Sequence, residues 1–271
     1  MMYNSHVHTE FSNDCAVPAA EMCGAAIQKG VSGIAITDHC NVTKCVSRNS
    51  YQTAIHSAKK ALELQKQYEC ALDIAVGIEI DEMIYKPDYA QRIIDAADFD
   101  VVLASVHSVV LNCIPIYLSE IDFGNLSKSE TEDIFTHYYK DLLQTVKSCD
   151  FDVCTHLTLP LRYANGVYRK NIDIRNYYSY IEKILSVITE RKKAIELNTS
   201  ELNRQLFDFM PNEEILRMYH DLGGTLITIG SDAHKPENID FGFKEASEVL
   251  TRTGFNSYVF YKERSPMSIN F

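Results

Sequence analysis

The chain has 271 residues, of which 46% are hydrophobic, so it can bury a substantial core, and we expect a single domain over residues 1–271. Its formal net charge of -11, from 26 basic and 37 acidic residues, argues against a nucleic-acid partner. No apolar run approaches the roughly 18 to 20 residues of a membrane span, and the N-terminus lacks the order of a secretory signal. We therefore expect a cytoplasmic protein without a membrane partner.

Short apolar, β-branched runs alternate with longer segments of helical periodicity along the chain. Strands are predicted at residues 3–8, 33–38, 74–80, 99–106, 151–156, 194–198 and 225–231, with a further short strand at 257–261. Helices are predicted at residues 18–29, 51–68, 131–148, 174–191, 213–222 and 236–253. This repetition predicts parallel strands with outer helices, and about seven repeats without a glycine-rich phosphate loop favour a barrel over an open sheet. The segment 108–127 is too long for an ordinary turn and is predicted to be a lid or substrate loop.

Eight cysteines raise the question of disulfide bonds. They form no C-x-x-C pair, and the chain is neither short nor recognisably secreted. We expect reduced thiols at all eight positions, which are Cys15, Cys23, Cys40, Cys45, Cys70, Cys113, Cys149 and Cys154.

The first predicted strand ends in His-Val-His. Residues two apart on a strand point to the same side, so His6 and His8 suit the binding of one metal ion. A carboxylate, Asp14, follows six residues later. Taken alone, the histidine pair is more typical of a structural, hydrogen-bonded role than of metal binding.

Residues that can bind metals also fall at the ends of five further predicted strands, namely His39, Glu79, His107, His156, Asp232 and His234. In a parallel barrel the C-terminal strand ends converge on one face. Each residue alone could be an ordinary hydrogen-bonded group, but the coincidence in six of seven strands favours one site. With Asp14 these groups make nine nitrogen and oxygen ligands, a set that suits zinc, manganese or iron rather than calcium or copper(I). Nine ligands are too many for one ion, so we expect two or three divalent ions with Glu79 bridging.

The other three histidines fall in predicted helices among charged or polar neighbours. We interpret them as solvated or structural side chains: His56, His137 and His220.

Four segments resemble the signature motifs of the PHP (polymerase and histidinol phosphatase) superfamily, in the same order along nearly the whole chain. They are HVHTEFSND, ITDH, GIE together with SVHS, and GSDAH. The resemblance implies a distorted (β/α)7 TIM-like barrel with a centre of three metal ions. It also implies the ligands, which are His6, His8, Asp14, His39, Glu79, His107, His156, Asp232 and His234. Asp38, similar to the aspartate before the second-motif histidine, is expected to orient a ligand imidazole.

The segments THLTLPLRY and IELNTSELNR resemble the histidinol-phosphatase branch of this superfamily. They bring Arg162 and Arg204 just beyond the fifth and sixth strands, where each could bind a phosphate or form an ordinary surface ion pair. Asn198, at the end of the sixth strand, is a further candidate substrate contact. The predicted lid could form an acidic, aromatic pocket for the amine of a substrate, or it could be a solvated loop without that role. The residues that would form the pocket are Tyr117, Glu120, Asp122 and Phe123.

The resemblance thus implies a metal-dependent phosphomonoesterase that hydrolyses L-histidinol phosphate to L-histidinol and phosphate, in histidine biosynthesis, by attack of a metal-activated hydroxide. The expected partner is a small-molecule phosphate monoester. Asp14, His234 or a metal-bound water would protonate the leaving oxygen, and Glu79 would hold the metals. Two alternatives remain open: a PHP phosphatase acting on a nucleotide, a sugar phosphate or phosphotyrosine, and a metal-binding module without catalysis.

Overall fold

The computed structural model describes residues 1–43, 50–111, 114–202 and 204–271. Within these ranges the main sheet has eight strands, all paired in parallel. The described strands are β1 (Tyr3–Val7), β2 (Gly33–Ile36), β3 (His39–Asn41), β4 (Asp73–Asp81), β5 (Val101–Ser105), β6 (Ser108–Leu111), β7 (Ile114–Tyr117), β8 (Val153–Cys154), β9 (Ala194–Asn198), β10 (Ile227–Gly230), β11 (Ser257–Lys262) and β12 (Ser265–Asn270).

The main sheet closes into a barrel. Its strands follow the order β1-β2-β4-β5-β8-β9-β10, and β3 pairs with β4 just beyond the end of β2. The two ends of this order meet, because Val7 forms a parallel bridge with Ala233 and the amide of His8 donates to the carbonyl of Ala233 over 3.0 Å. The predicted barrel is therefore confirmed, and the open sheet is excluded.

Both faces of the barrel wall are covered, which is why its strands are continuous apolar runs. All residues of β1, β2, β5, β9 and β10 are buried. The described helices are α1 (Ala19–Gln28), α2 (Ser50–Tyr68), α3 (Pro87–Ile94), α4 (Lys128–Ser148), α5 (Tyr178–Glu190), α6 (Glu213–Asp221) and α7 (Phe243–Arg252). Each buries one stripe; in α4 the buried residues include Ile134, Tyr138 and Leu142, which are four apart.

Several short elements differ from the sequence prediction. Helix α3 and strands β3 and β12 were not predicted, since their lengths are too short for a periodic pattern to develop. The predicted helix 174–191 begins with a 3₁₀ turn (Ile174–Tyr177) before α5. The predicted helix 236–253 is interrupted at Gly242, whose φ of 74° ends one turn and starts α7.

The segment predicted as a lid is partly regular. Strands β6 and β7 pair as an antiparallel hairpin, and two 3₁₀ turns follow at Leu118–Glu120 and Phe123–Asn125. Residues 112–113 of this segment lie outside the described residues. The extra length of the connection is therefore used for a hairpin that stands beside the C-terminal end of the barrel.

The C-terminal hairpin of β11 and β12 covers the opposite, N-terminal end. The amide of Tyr3 donates to the hydroxyl of Tyr258 over 2.9 Å, and the rings of Tyr3 and Phe260 pack with centroids 4.9 Å apart. Lys262 Nζ lies 2.8 Å from Asp100 Oδ2. With this end closed, the C-terminal ends of the strands are left for a functional site.

Six cysteines in the described ranges are free thiols, in agreement with the prediction: Cys15, Cys23, Cys40, Cys70, Cys149 and Cys154. Cys45 and Cys113 lie outside the described residues. Among the described helices, none is both long enough and apolar enough to cross a membrane.

Candidate metal centre

The nine residues predicted as metal ligands lie in one cluster at the C-terminal end of the barrel, and Glu79 is at its centre. This carboxylate is fully buried and faces five imidazoles. The shortest contact joins Oε2 to Nδ1 of His39 over 2.9 Å, and Oε1 lies 3.0 Å from Nε2 of His156. The other three contacts, of 3.3, 3.5 and 3.6 Å, are to Nε2 of His6, His8 and His107. This geometry suits a bridging group.

Two further carboxylates border the cluster. Asp232 Oδ1 lies 3.3 Å from Nε2 of His8 and 3.5 Å from Nδ1 of His234. Asp14, in the loop after β1, reaches back with its two oxygens 3.3 Å from Nε2 of His234 and 3.6 Å from Nε2 of His39. The fold thus brings together all nine predicted ligands, and their role as ligands stays a prediction.

Two of these residues have an unusual backbone. His156 and Asp232 have φ angles of 25° and 51°, in the left-handed region that side chains other than glycine rarely adopt. Each lies two residues beyond the end of a barrel strand, β8 for His156 and β10 for Asp232. Such conformations persist where surrounding contacts hold them, and they concentrate at functional sites.

The carboxylates change the proton affinity of the imidazoles around them. Burial lowers the pKa of His107, but the carboxylates of Asp81 and Glu79 outweigh it and raise the pKa to about 9. Burial and two neighbouring imidazoles lower the pKa of His8 to about 3. The cluster therefore mixes protonated and neutral imidazoles, and the protons supply counter-charge that divalent ions could supply instead.

The donor groups themselves fit divalent metal ions. Among the described residues, Nε2 of His8 and Nε2 of His234 are buried without a hydrogen-bond partner, and Nε2 of His107 faces Nε2 of His156 over 3.2 Å. Lone pairs in such positions are satisfied by a shared cation. Three overlapping groups have donor atoms within 4.8 Å of one another: His8, His39 and His234; His39, Glu79, Asp81 and His107; and His6, His8 and Asp232.

Asp81 and Glu82 belong to the site but were not predicted from the sequence. Asp81 Oδ1 lies 3.1 Å from Nδ1 of His107 and accepts a hydrogen bond from Ser105 Oγ over 2.7 Å. A signal for Asp81 was available, since it lies two residues after Glu79 on the same face of β4. Glu82 accepts hydrogen bonds from the amides of His107 and Ser108, both over 2.8 Å. Burial and the nearby Asp81 raise the pKa of Glu82 to about 7.

A third missed carboxylate is Glu196, in the middle of β9. Its Oε1 lies 2.6 Å from Nδ1 of His6, so the sixth strand also sends an acidic group toward the cluster. The sequence offered only a weak signal, a charged residue inside the apolar run AIELN.

Asp38 acts less directly than predicted. Its Oδ1 accepts from the amide of Thr9 over 2.6 Å and from Ser12 Oγ over 2.8 Å. Ser12 Oγ in turn lies 3.0 Å from Nδ1 of His8. Asp38 therefore reaches an imidazole through Ser12 and also holds the loop that carries Asp14.

A cavity of about 280 Å³ opens beside the cluster. It is lined by six residues of the cluster, Asp14, His39, Asp81, His107, Asp232 and His234, and also by Asn13, Tyr117, Ser119, Glu120, Arg162 and Tyr163. Of the predicted lid pocket, Tyr117 and Glu120 line this cavity. Asp122 instead accepts the amide of Gly124 over 3.0 Å, and Phe123 is buried.

The three predicted substrate contacts differ in their surroundings. Arg162 lines the cavity, with Nη2 2.6 Å from Ser200 Oγ. Asn198 is fully buried and accepts a hydrogen bond from the same Ser200 hydroxyl over 2.6 Å. Arg204 is about half exposed, with Nη1 3.6 Å from Glu201 Oε1, and is not among the lining residues.

The histidines interpreted as solvated or structural lie away from the cluster. His56, His137 and His220 are on α2, α4 and α6, and all three are exposed. These three histidines are therefore solvent-exposed helix residues, as the sequence indicated.

The fold and the cluster define an α/β barrel protein whose side chains could hold metal ions at the C-terminal ends of its strands. Residues 4–200 match the family model described as the PHP domain, and the chain belongs to that family. The predicted superfamily is thereby confirmed.

Similar proteins carry histidinol-phosphatase names. A probable histidinol-phosphatase of Clostridium acetobutylicum is 29% identical over 269 residues, which cover 97% of this chain and 98% of that protein. A probable histidinol-phosphatase of Thermotoga maritima is 26% identical over 256 residues, with coverage of 94% and 93%. The crystal structure of a histidinol phosphate phosphatase from Lactococcus lactis, complexed with zinc, L-histidinol and phosphate, matches with a TM-score of 0.77 at 23% identity and covers 98% of both chains. This last likeness supports the fold.

Proposed function

We propose that this protein is a histidinol-phosphatase, a metal-dependent phosphomonoesterase that hydrolyses L-histidinol phosphate to L-histidinol and phosphate in histidine biosynthesis. The observation that carries the proposal is the cluster of nine predicted ligands around the buried Glu79, which borders a cavity lined by Arg162. The names of the similar proteins support the choice of substrate. Residues 1–271 are proposed to act as one domain.

The metal ions are assigned to the nine clustered residues, with Glu79 as the bridging group. Two or three ions of zinc, iron or manganese suit this nitrogen and oxygen set. When bound, they would stabilise negative charge on the phosphoryl group and lower the pKa of a water nucleophile.

Arg162 is proposed to bind the phosphate. Its Nε lies 2.9 Å from Glu201 Oε1, and its Nη2 lies 3.4 Å from Asp232 Oδ2. A guanidinium held in this way loses little conformational freedom when its planar donors meet phosphate oxygens. Asn198 would support Arg162 through Ser200, and Arg204 would act at the outer rim.

His234 is proposed to act in one of two ways: as a metal ligand in a site of three ions or, in a site of two ions that leaves its imidazole free, as the group that gives a proton to the leaving oxygen with Asp14 as its partner. Burial lowers the pKa of His234, but Asp14 and Asp232 more than offset this and raise it overall. Against partial burial, the nearby imidazoles of His234 and His39 hold the pKa of Asp14 well below its usual range. In the metal-free protein the proton of this pair therefore resides on His234, which lines the cavity.

The lining residues beside the predicted metal ligands favour a substrate with a cationic or heteroaromatic end. Glu120 offers a carboxylate, and Tyr117 and Tyr163 offer aromatic faces. L-Histidinol phosphate carries an imidazole at one end, the phosphate at the other and an amine between them. The imidazole and the amine suit the acidic and aromatic lining residues, and the phosphate suits the predicted metal ligands and Arg162.

Phosphate release from a panel of substrates tests the proposal. Protein purified without chelator and supplied with manganese or zinc is assayed with L-histidinol phosphate, a mononucleotide, a sugar phosphate and phosphotyrosine. We expect kcat/KM for L-histidinol phosphate to exceed the others by about 100-fold or more, since a site that pairs buried polar groups rejects analogues that leave them unpaired. Metal-stripped protein is the control and should be inactive.

The other outcomes separate the alternatives. Preference for another ester would reject the substrate and retain the phosphomonoesterase. No release from any ester by protein that holds metal would favour a metal-binding module without catalysis.

A further inference from the structure

Glu196 occupies the barrel interior, behind the predicted ligands and away from the cavity. Its side chain is almost fully buried, at 1% exposure. Its two oxygens contact two different ligand residues: Oε1 lies 2.6 Å from Nδ1 of His6, and Oε2 accepts the backbone amide of His156 over 2.9 Å. The Glu196 carboxylate on β9 thus joins His6 of β1 to His156, which lies two residues beyond β8.

The contact with His6 determines where this imidazole carries its proton. An ionised carboxylate has only acceptor atoms, so Nδ1 of His6 must be the donor in a 2.6 Å contact. A neutral His6 then has its lone pair on Nε2, which lies 3.3 Å from Glu79 Oε2 and 3.8 Å from Asp232 Oδ1. The nitrogen that faces the cluster is therefore the one available to a metal ion.

The contact with His156 restrains an unfavourable backbone. His156 has a φ of 25°, and its amide would have no strand partner in this turn without the Oε2 acceptor. The side-chain amide of Asn198 also donates to Oε2, over 3.1 Å. Both Glu196 oxygens are thus needed as acceptors.

The barrel wall leaves space for this carboxylate at Gly230. A Cβ atom at position 230 would overlap Glu196 Oε1 and lie 2.7 Å from Cβ of His6. Only a residue without a side chain lets β10 pass so close to the Glu196–His6 contact. The contact is therefore built by three strands, β1, β9 and β10.

We propose that Glu196 is a positioning residue for the metal centre: it sets the tautomer of His6 and holds the backbone of His156, so that both imidazoles present a lone pair to the metal. The proposal rests on the metal centre of the proposed function. It matches a general pattern, in which a carboxylate behind a ligand histidine fixes the ring and strengthens metal binding about 10- to 100-fold.

The test is zinc binding by metal-stripped Glu196→Gln protein, measured by competition with a chromophoric chelator. Glutamine keeps the size of the side chain but offers one acceptor oxygen in place of two, so either His6 Nδ1 or the His156 amide meets an NH₂ group. We expect the weakest zinc-binding step to lose about 10- to 100-fold in affinity. Glu196→Asp, which keeps both oxygens but falls short of His6 by one methylene, should lose affinity as well.

A matched control separates positioning from general destabilisation. Asp100→Asn alters a buried carboxylate at the other end of the barrel, and it should lower the free energy of unfolding without changing zinc affinity. In the zinc-loaded protein, ¹⁵N spectra of labelled imidazoles should show a protonated Nδ1 for His6, and this signal should move in Glu196→Gln but not in Asp100→Asn.

The outcomes are distinguishable. Zinc affinity and His6 signals like those of the unaltered protein in both Glu196 variants would overturn the inference while leaving the metal centre intact. An unaltered protein that binds no zinc, manganese or iron would overturn the inference together with the proposed function.

Discussion

Both ends of the barrel bury carboxylates, but the two ends neutralise them differently. At the N-terminal end, Asp100 lies 2.8 Å from Lys262 Nζ and accepts the amide of Val76 over 2.8 Å, and Asp152 is ion-paired with Arg264. These buried acids have a permanent cation of the chain beside them. They hold the C-terminal hairpin against the barrel.

At the C-terminal end, the partners of Glu79, Asp81 and Asp232 include imidazoles. An imidazole is positive only when protonated, and it can exchange its proton for a metal ion. Buried carboxylates therefore stabilise the fold where their neighbour is a permanent cation, lysine or arginine. They can take part in metal chemistry where their neighbour is an imidazole, whose proton a metal ion can replace.

The largest effect is expected from Glu79→Ala. This change removes the carboxylate that faces five imidazoles, so bound metal should fall sharply and kcat should fall about 10³-fold or more. Elemental analysis of the purified protein and phosphate release measure the two quantities. Normal metal content with full activity would contradict the assignment of Glu79.

Metal uptake should depend on pH. In the metal-free protein, Asp81 and Glu79 overcome the effect of burial and raise the pKa of His107 to about 9. At about pH 6 to 8 this imidazole therefore carries a proton that a metal must displace. Displacement of this proton should make the apparent affinity rise about tenfold per pH unit, and this contribution should level off above about pH 9. Zinc calorimetry in buffers of different protonation enthalpy counts the protons; affinity independent of pH would refute this.

Arg162→Lys should have a moderate effect. Lysine retains the charge but loses the planar pair of donors, so kcat/KM should fall roughly 10- to 100-fold, the value of one charge-assisted hydrogen bond. Arg204→Lys should show a smaller loss, because this guanidinium is about half exposed and, at the outer rim, is not among the cavity-lining residues. Equal losses in both variants would argue against Arg162 as the main phosphate contact.

The smallest effect on activity is expected from Asp100→Asn. The variant loses the ion pair with Lys262 and part of its amide contacts, so the free energy of unfolding should fall by about 1–3 kcal/mol. Metal content and kcat should stay unchanged, as denaturant titration beside the phosphate assay would reveal. A large loss of activity in folded protein would contradict the view that the carboxylates at the N-terminal end of the barrel only stabilise the fold.

Much of the barrel was predictable because its strands are buried on both faces. Strand β9 was predicted with the observed bounds, and β10 was predicted too long by a few residues at its ends. Elements of three to eight residues, such as β3 and α3, were missed because neighbouring segments determine their conformation. The hairpin of β6 and β7 was not predicted as such; the sequence indicated only that the connection at residues 108–127 is unusually long.

The sequence by itself determined the kinds of residue at the strand ends, since alternation along a strand and the convergence of parallel strands both follow from local geometry. The tertiary structure alone decided which partner each group meets. Glu196 and His6 are 190 residues apart in sequence, and their 2.6 Å contact exists only because the barrel closes. The pairing of β4 with β5 brings Asp81 to His107, and the packing beyond the strand ends decides that Arg162 lines the cavity while Arg204 does not. Such contacts depend on the packing of distant strands, which no local pattern encodes.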